Sequence, residues 1–215
     1  MAIEIVNFVT PLHTNTKRDY LARMNAEKPE CMRVAKQYGK DYWDGDRKYG
    51  YGGYHNDGRW KPVAEAMIKH YGLDNQSYIL DIGCGKGFLL KEFGNQHTTG
   101  LDCSAYALDS ASNEAQMYLG SSTELPFRND AFTLTYSINV FHNLNYKDLK
   151  LAVKEMMRVS RDKRYICVES YRTEEELCNL QCWALTCQSF YTPDDWRGIL
   201  EDNGYSGDLE LIYFT

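Results

Sequence analysis

Asp81, Gly83, Gly85 and Gly87 stand two residues apart in the run Tyr78 to Leu90, YILDIGCGKGFLL, and a second acid, Asp102, closes the run TTGLD 19 residues after Gly83. Glycine has no Cβ and tolerates positive φ, so a GxGxG turn brings backbone close to a ligand that side chains would hold off. The apolar residues before the turn predict a strand and those after it a helix start, the setting in which such a turn holds a nucleotide-like cofactor. A carboxylate ending the next strand is placed to accept hydrogen bonds from ribose hydroxyls. The dinucleotide fingerprint GxGxxG would need a glycine at position 88, where Phe88 stands.

The elements that must position these residues alternate from residue 62 onward, which implies βαβ units and a mostly parallel sheet between two helix layers, a Rossmann-like α/β sandwich. A helix is expected from Pro62 to Tyr71, strands at Ser77 to Asp81 and up to Asp102, and a helix from Ser104, its N-cap, to Gln116. Further strands are expected at Ala115 to Leu119, Phe132 to Ser137 and Arg164 to Glu169, with helices at Tyr146 to Val159 and Glu174 to Thr186. Thr192 and Pro193 start a last helix as N-cap and N1 proline. In such a sheet ligands bind beyond the carboxyl ends of the strands, which gathers Gly83 to Gly87, Asp102, and the loops 121–124, 137–143 and 169–172 on one edge.

With these motifs in this order the chain resembles the class I S-adenosylmethionine-dependent methyltransferases of the type 11 kind, whose signature is a strand ending in LDxGCGxG, an acid closing the next strand, and an LPF segment before the fourth. Leu80 to Gly87, Asp102 and Leu125 to Phe127 carry the resemblance, which covers roughly Pro62 to Tyr171. It implies that S-adenosylmethionine binds and leaves as S-adenosylhomocysteine. Asp81, Gly83, Cys84, Gly85 and Gly87 would wrap its methionine and ribose, Asp102 and Cys103 would meet the ribose, and Ser137 would lie beside the sulfonium. Many members carry Asp at the position of Ser121, so the adenine contact passes to Ser121, Ser122 or Thr123. Members usually finish with two strands; only one fits after Gly204, at Asp208 to Phe214, so the last strand is missing or supplied from elsewhere.

Residues 1–61 lie outside the family pattern and read as an N-terminal extension to a 62–215 methyltransferase domain. Between Asp41 and Trp60 the extension crowds Tyr42, Trp43, Tyr49, Tyr51, Tyr54, His55 and Trp60 among five glycines. Tyr and Trp offer large contact area with few torsions to freeze, and their faces attract a sulfonium or ammonium, so the segment is a candidate active-site lid. The plainer alternative is an arm packed on the core or on a second copy of the chain in a homodimer. The segment is also weakly similar to methyltransferase-like proteins of bacterial surface-polysaccharide clusters.

Methyl transfer is an in-line displacement at a carbon activated by positive sulfur, so the protein supplies alignment and, for a hydroxyl acceptor, a base. His142, after the fourth strand, is the first candidate base and His55 the second; His142 as a packing residue weighs equally. Tyr51, Tyr54, Glu169 and Arg172 are candidate acceptor contacts, and Arg47 and Arg59 are suited to a phosphate or carboxylate.

A chain of 215 residues with net charge −6 lacks the clustered Lys and Arg that grip a nucleic-acid backbone. Seven cysteines without a CxxC pair predict reduced thiols and no metal, Cys178 and Cys182 sharing a helix face. No apolar run approaches a membrane span, and with no leader pattern the expected compartment is cytoplasmic. The expected function is methyl transfer to a hydroxyl or amino group of a small polar metabolite: a sugar, sugar nucleotide or amino-acid-like acceptor. An RNA or protein methyltransferase, and a non-catalytic cofactor-binding module, are the alternatives.

Overall fold

The computed structural model describes residues 3–94, 97–111 and 115–215. Seven strands form one sheet: β1 (Glu4–Ile5), β2 (Tyr78–Ile82), β3 (His97–Asp102), β4 (Gln116–Leu119), β5 (Phe132–Ile138), β6 (Ser160–Glu169) and β7 (Asp208–Ile212). Their order is β1-β7-β6-β5-β2-β3-β4, every pair parallel. The helices are α1 (Thr10–Thr14), α2 (Tyr20–Asn25), α3 (Lys28–Ala35), α4 (Lys40–Asp44), α5 (Lys61–Tyr71), α6 (Phe88–Glu92), α7 (Ala105–Asp109), α8 (Tyr146–Val159), α9 (Glu174–Trp183) and α10 (Pro193–Asp202). Side chains alternate across a strand, and β2 shows the consequence: Leu80 and Ile82 enter a core with Leu149 and Val153 of α8 and Trp196 of α10, while Ile79 enters a second with Met67 of α5 and Leu90 of α6. The expected three-layer parallel sandwich is the fold.

The edge of the sheet is completed from the other end of the chain. Among the described residues β7 is the last strand in the chain, and β1, only two residues long, pairs with it through Glu4 opposite Asp208 and Ile5 opposite Leu209. What anchors so short a strand is Glu210 of β7, fully buried. Its carboxylate accepts the backbone N–H groups of Phe8, Val9 and Thr10 at 2.7, 2.9 and 2.5 Å, the Thr10 hydroxyl at 2.7 Å and the Tyr165 hydroxyl at 2.6 Å. These are donors that the first turn of α1 leaves without helical partners. Ile3 and Val9 are buried in the same two cores as residues of the 62–215 segment. Because β1 runs parallel to the rest, its carboxyl end delivers α1 to α4 and the aromatic segment to the edge where the ligand loops emerge.

Three element boundaries differ from expectation by more than two residues. The helix opened by Ser104 ends at Asp109, and residues 112–114 of its predicted length lie outside the described residues. Helix α9 stops at Trp183 instead of Thr186: Lys28 Nζ takes the carbonyls of Gln181 and Cys182, and Ala184 turns to extended backbone. Strand β6 begins directly at the end of α8, at Ser160. Among the described residues no helix is long and apolar enough to cross a membrane.

Candidate active site

Strand order reverses between β2 and β5, so the crevice lies between the turn after β2 and the loop after β5. Gly83, Gly85 and Gly87 all have positive φ. At Gly83 a Cβ would fall 2.1 Å from Val140 Cγ2, so the two loops approach in a way that only glycine permits. On the other loop Asn139 adopts φ 58°, a left-handed conformation uncommon outside glycine and typical of strained functional sites.

Two connected cavities open here. The smaller, about 160 Å³, is lined by Asp102, Cys103, Gly120, Ser121 and Ser122; the larger, about 300 Å³, by Asp81, Gly83, Cys84 and Gly85 and, beyond them, by His142, Glu169 and several arginines. Trp43, Tyr51 and Asn139 border both. Asp102 accepts the N–H groups of Gly85 and Ser104 at 2.7 and 2.8 Å, which fixes the carboxylate at the base of the turn. Burial holds its pKa above the usual carboxylate range, against those hydrogen bonds. Asp81 is pushed further, to about 8, by burial and by the Asp102 charge, so it is protonated at neutral pH.

The aromatic segment lies on the glycine turn. Trp43 sits where a Gly85 side chain would be, 2.7 Å from the ideal Cβ, and its indole N–H reaches Ser104 Oγ at 2.9 Å. Tyr51 stacks on Trp43 with ring centroids 5.2 Å apart and planes within 6°. An ion pair the sequence did not flag secures the contact: Lys86, inside the turn, is buried with Nζ 2.7 Å from both Asp44 oxygens and 2.8 Å from the Tyr54 carbonyl. The Tyr106 hydroxyl adds a bond to Asp44 at 2.8 Å.

His142 and Glu169 meet at the ends of β5 and β6. The backbone N–H of Glu169 donates to His142 Nδ1 at 3.1 Å, so the ring proton sits on Nε2, which lies 3.5 Å from Glu169 Oε2. Burial pushes the imidazole down to about 3 and keeps it neutral. His142 therefore has no free lone pair with which to act as the expected base: Nδ1 is occupied and Nε2 is protonated. Glu169 is the group poised to accept a proton, its pKa raised to about 7 by burial, with Arg18 pulling the other way.

Of the other expected contacts, Tyr51, Tyr54, Arg47 and Arg59 line the large cavity, Arg59 paired with Asp57. Four residues are corrected. His55 is exposed, held beside the Gly53 carbonyl by a ring-nitrogen bond at 3.2 Å, outside both cavities. Ser137 is fully buried, donates to the Ile82 carbonyl at 2.9 Å and lines neither cavity, whereas Ile138, on the opposite face of the strand, and Asn139, just past its end, line both. Arg172 pairs with Glu176 and covers the Tyr213 ring at 4.0 Å, away from the cavities. Thr123 bonds Ser121 Oγ in an exposed turn and lines neither cavity. Gly87 serves as the N-cap of α6, under Met117. Sequence reasoning missed Arg18, Arg23 and Trp183, which line the site; Asn139 and Asn143, which also line it, fall in the 137–143 loop expected at this edge but were not singled out.

The motifs, the glycine turn and the parallel strand order have counterparts in known proteins. Residues 80–168 match the family model described as a methyltransferase domain. "Probable tRNA methyltransferase 9B" of Homo sapiens is 38% identical over 85 residues, 39% of this chain and 19% of that protein, so the match spans about a fifth of the relative. Among solved structures, an S-adenosylmethionine-dependent methyltransferase from Archaeoglobus fulgidus superposes with TM-score 0.55 at 16% identity, over 68% of this chain and 69% of that one. The methyltransferase partner of the Haloferax volcanii Trm112 activator does so with TM-score 0.54 at 20% identity, over 69% and 73%. Both share the fold. The chain thus carries a methyltransferase domain over residues 80–168 and shares the fold of the Archaeoglobus S-adenosylmethionine-dependent enzyme.

Proposed function

We propose that this chain transfers the methyl group of S-adenosylmethionine to a hydroxyl or amino group of a small polar acceptor, with Glu169 as the base. The donor set fits the cofactor: a turn whose glycines leave room against Val140, a fixed carboxylate at Asp102 for the ribose, Ser121 and Ser122 beside the adenine position, and a protonated Asp81 able to give up its proton to face an α-ammonium. When bound, the cofactor supplies a methyl group already activated by positive sulfur. The chain's own residues orient the acceptor under Trp43, Tyr51 and Tyr54 and exclude water. Glu169 takes the proton released from the acceptor oxygen or nitrogen as that atom bonds to the methyl carbon and the carbon–sulfur bond breaks. His142 acts as a positioning residue through its contacts with Glu169.

The observation that carries this reading is the larger cavity. Its volume of about 300 Å³ suits a metabolite, and its cationic groups lie inside it. A nucleic-acid acceptor is the second reading, favoured by the similarity to tRNA methyltransferase 9B; an extruded nucleotide also fits such a volume. The Haloferax neighbour's complex with Trm112 adds an activator partner to that reading. Incubation with methyl-labelled cofactor and separate pools of sugars, sugar nucleotides, amino acids and total tRNA separates the two. Label in one small-molecule pool is expected; label in tRNA alone overturns the proposal, and cofactor binding without transfer to any pool indicates a binding module.

A further inference from the structure

One wall of the large cavity is built from three cations, of which Arg18 alone feels a carboxylate of the cavity, the Glu169 charge, without pairing with it. Cζ of Arg18, Arg23 and Arg47 lies 5.5, 4.7 and 5.1 Å from the centroid of the Trp183 ring, and all three arginines line the cavity. They come from separate places, two on or beside α2 and one after α4, and meet only because α9 ends early and turns Trp183 between them. Among the described residues, none of the three forms an ion pair.

Their neutral contacts divide them by role. Arg23 donates to the carbonyls of Arg47, Lys48 and Gly50 and so holds the aromatic segment in place. Arg18 donates to the carbonyls of His13 and Thr16 and to His13 Nδ1, which fixes its plane across the Phe214 and Trp183 rings. Arg47 bonds the Gly50 carbonyl and lies over Trp183. Burial lowers the pKa of all three, and Arg47 lowers those of Arg18 and Arg23 further by repulsion. Like charges partly withdrawn from water and left unpaired are unfavourable unless an anion joins them. A chain with net charge −6 has no general excess of such groups.

We propose that Arg18 and Arg47, planar and preset on Trp183, bind an anionic group of the acceptor, a carboxylate or phosphate, so that the substrate is an acidic small molecule. Guanidinium forks match both anions and hold them in a defined orientation, which fixes the acceptor's reacting atom relative to Glu169. This inference rests on the small-acceptor reading above.

The test uses the full chain saturated with S-adenosylhomocysteine and titrates it calorimetrically with glucose, glucuronate and glucose 6-phosphate, the last two separating carboxylate from phosphate. At least one anionic sugar is expected to bind about tenfold or more tightly than glucose, the scale of one well-made charged contact. Arg47→Gln and, separately, Arg18→Gln are expected to remove most of that preference while S-adenosylhomocysteine affinity stays within about twofold, which also certifies the fold; Arg47→Lys should restore part of it. Equal binding of all three sugars, no saturable binding of either anion, or a preference that survives in both glutamine variants overturns the proposal. So does tight binding of a tRNA anticodon stem-loop that depends on Arg47, which assigns the wall to RNA phosphates. Failure of S-adenosylhomocysteine to bind the unmodified protein strikes the cofactor site instead and is seen before any sugar is added.

Discussion

At the scale of single residues, the site separates a carboxyl group and an imidazole by the way burial shifts each. Glu169, raised to about 7, gains its charge across the physiological range, whereas His142, lowered to about 3, does not titrate there. The rate of methyl transfer to a hydroxyl acceptor should therefore rise with pH through about 7 and level off above it. Glu169→Gln should lower kcat by about 10²–10⁴-fold, the usual worth of a general base, with S-adenosylhomocysteine affinity unchanged. A kcat profile that keeps its shape in Glu169→Gln would remove the residue from the proton's path. Asp81 gives a second readout. With its pKa about 8 it is mostly protonated at pH 7, and pairing with an α-ammonium requires the charged form, so cofactor binding should release protons at pH 7 and cease to do so well above 8. Calorimetry in two buffers of different ionisation enthalpy measures that release; Asp81→Asn should abolish it.

At the scale of elements, the glycine turn and the aromatic segment behave as one unit joined by Lys86 and Asp44. Burial raises the Asp44 pKa, but the bonds from Lys86, Tyr106 and the Tyr54 N–H outweigh it and hold the carboxyl below its ordinary value. A depressed folded-state value means that the stability Asp44 contributes is present above its unfolded pKa of about 4 and is lost as pH falls through the folded one. Asp44→Ala leaves the buried Lys86 ammonium with only the Tyr54 carbonyl, a loss of about 1–3 kcal/mol once the partial exposure of Asp44 is allowed for. The segment should then become sensitive to limited proteolysis between Gly50 and Gly58, with acceptor affinity lost before cofactor affinity; an unchanged cleavage pattern would mean that the pair does not hold the segment. The turn itself was legible in the sequence because glycine spacing and the flanking apolar runs are local. So was α8, matched end to end, since its apolar face and the Asn145 cap lie within a few residues. Lys86 was not, because its importance depends on an acid 42 positions away that only the fold brings near. The early end of α9 was equally hidden, being set by Lys28 from a distant helix.

At the scale of the whole molecule, the missing last strand was readable as a deficit but not its remedy. Two residues, Glu4 and Ile5, carry no periodicity to detect, and their pairing is fixed by Glu210 at the opposite end of the sequence. The N-terminal residues thus both close the sheet and roof the site, so removing them has two costs. A chain beginning at Pro62 exposes the full edge of β7, an invitation to intermolecular pairing. It also strips the Glu210 carboxylate of every donor from residues 8–10, leaving the Tyr165 hydroxyl to face a buried charge alone. Such a fragment should aggregate or lack a cooperative thermal transition, read by size exclusion and near-ultraviolet circular dichroism. In the intact chain, Glu210→Gln keeps the shape but replaces one acceptor oxygen by a donor facing N–H groups; a loss of about 2–4 kcal/mol is expected by denaturant titration. A soluble 62–215 fragment melting within a few degrees of the full chain would show that the edge strand and its anchor are dispensable. If instead the fragment fails while Glu210→Gln folds and binds S-adenosylhomocysteine normally, edge closure by β1, and not the buried carboxylate, is what the sheet requires.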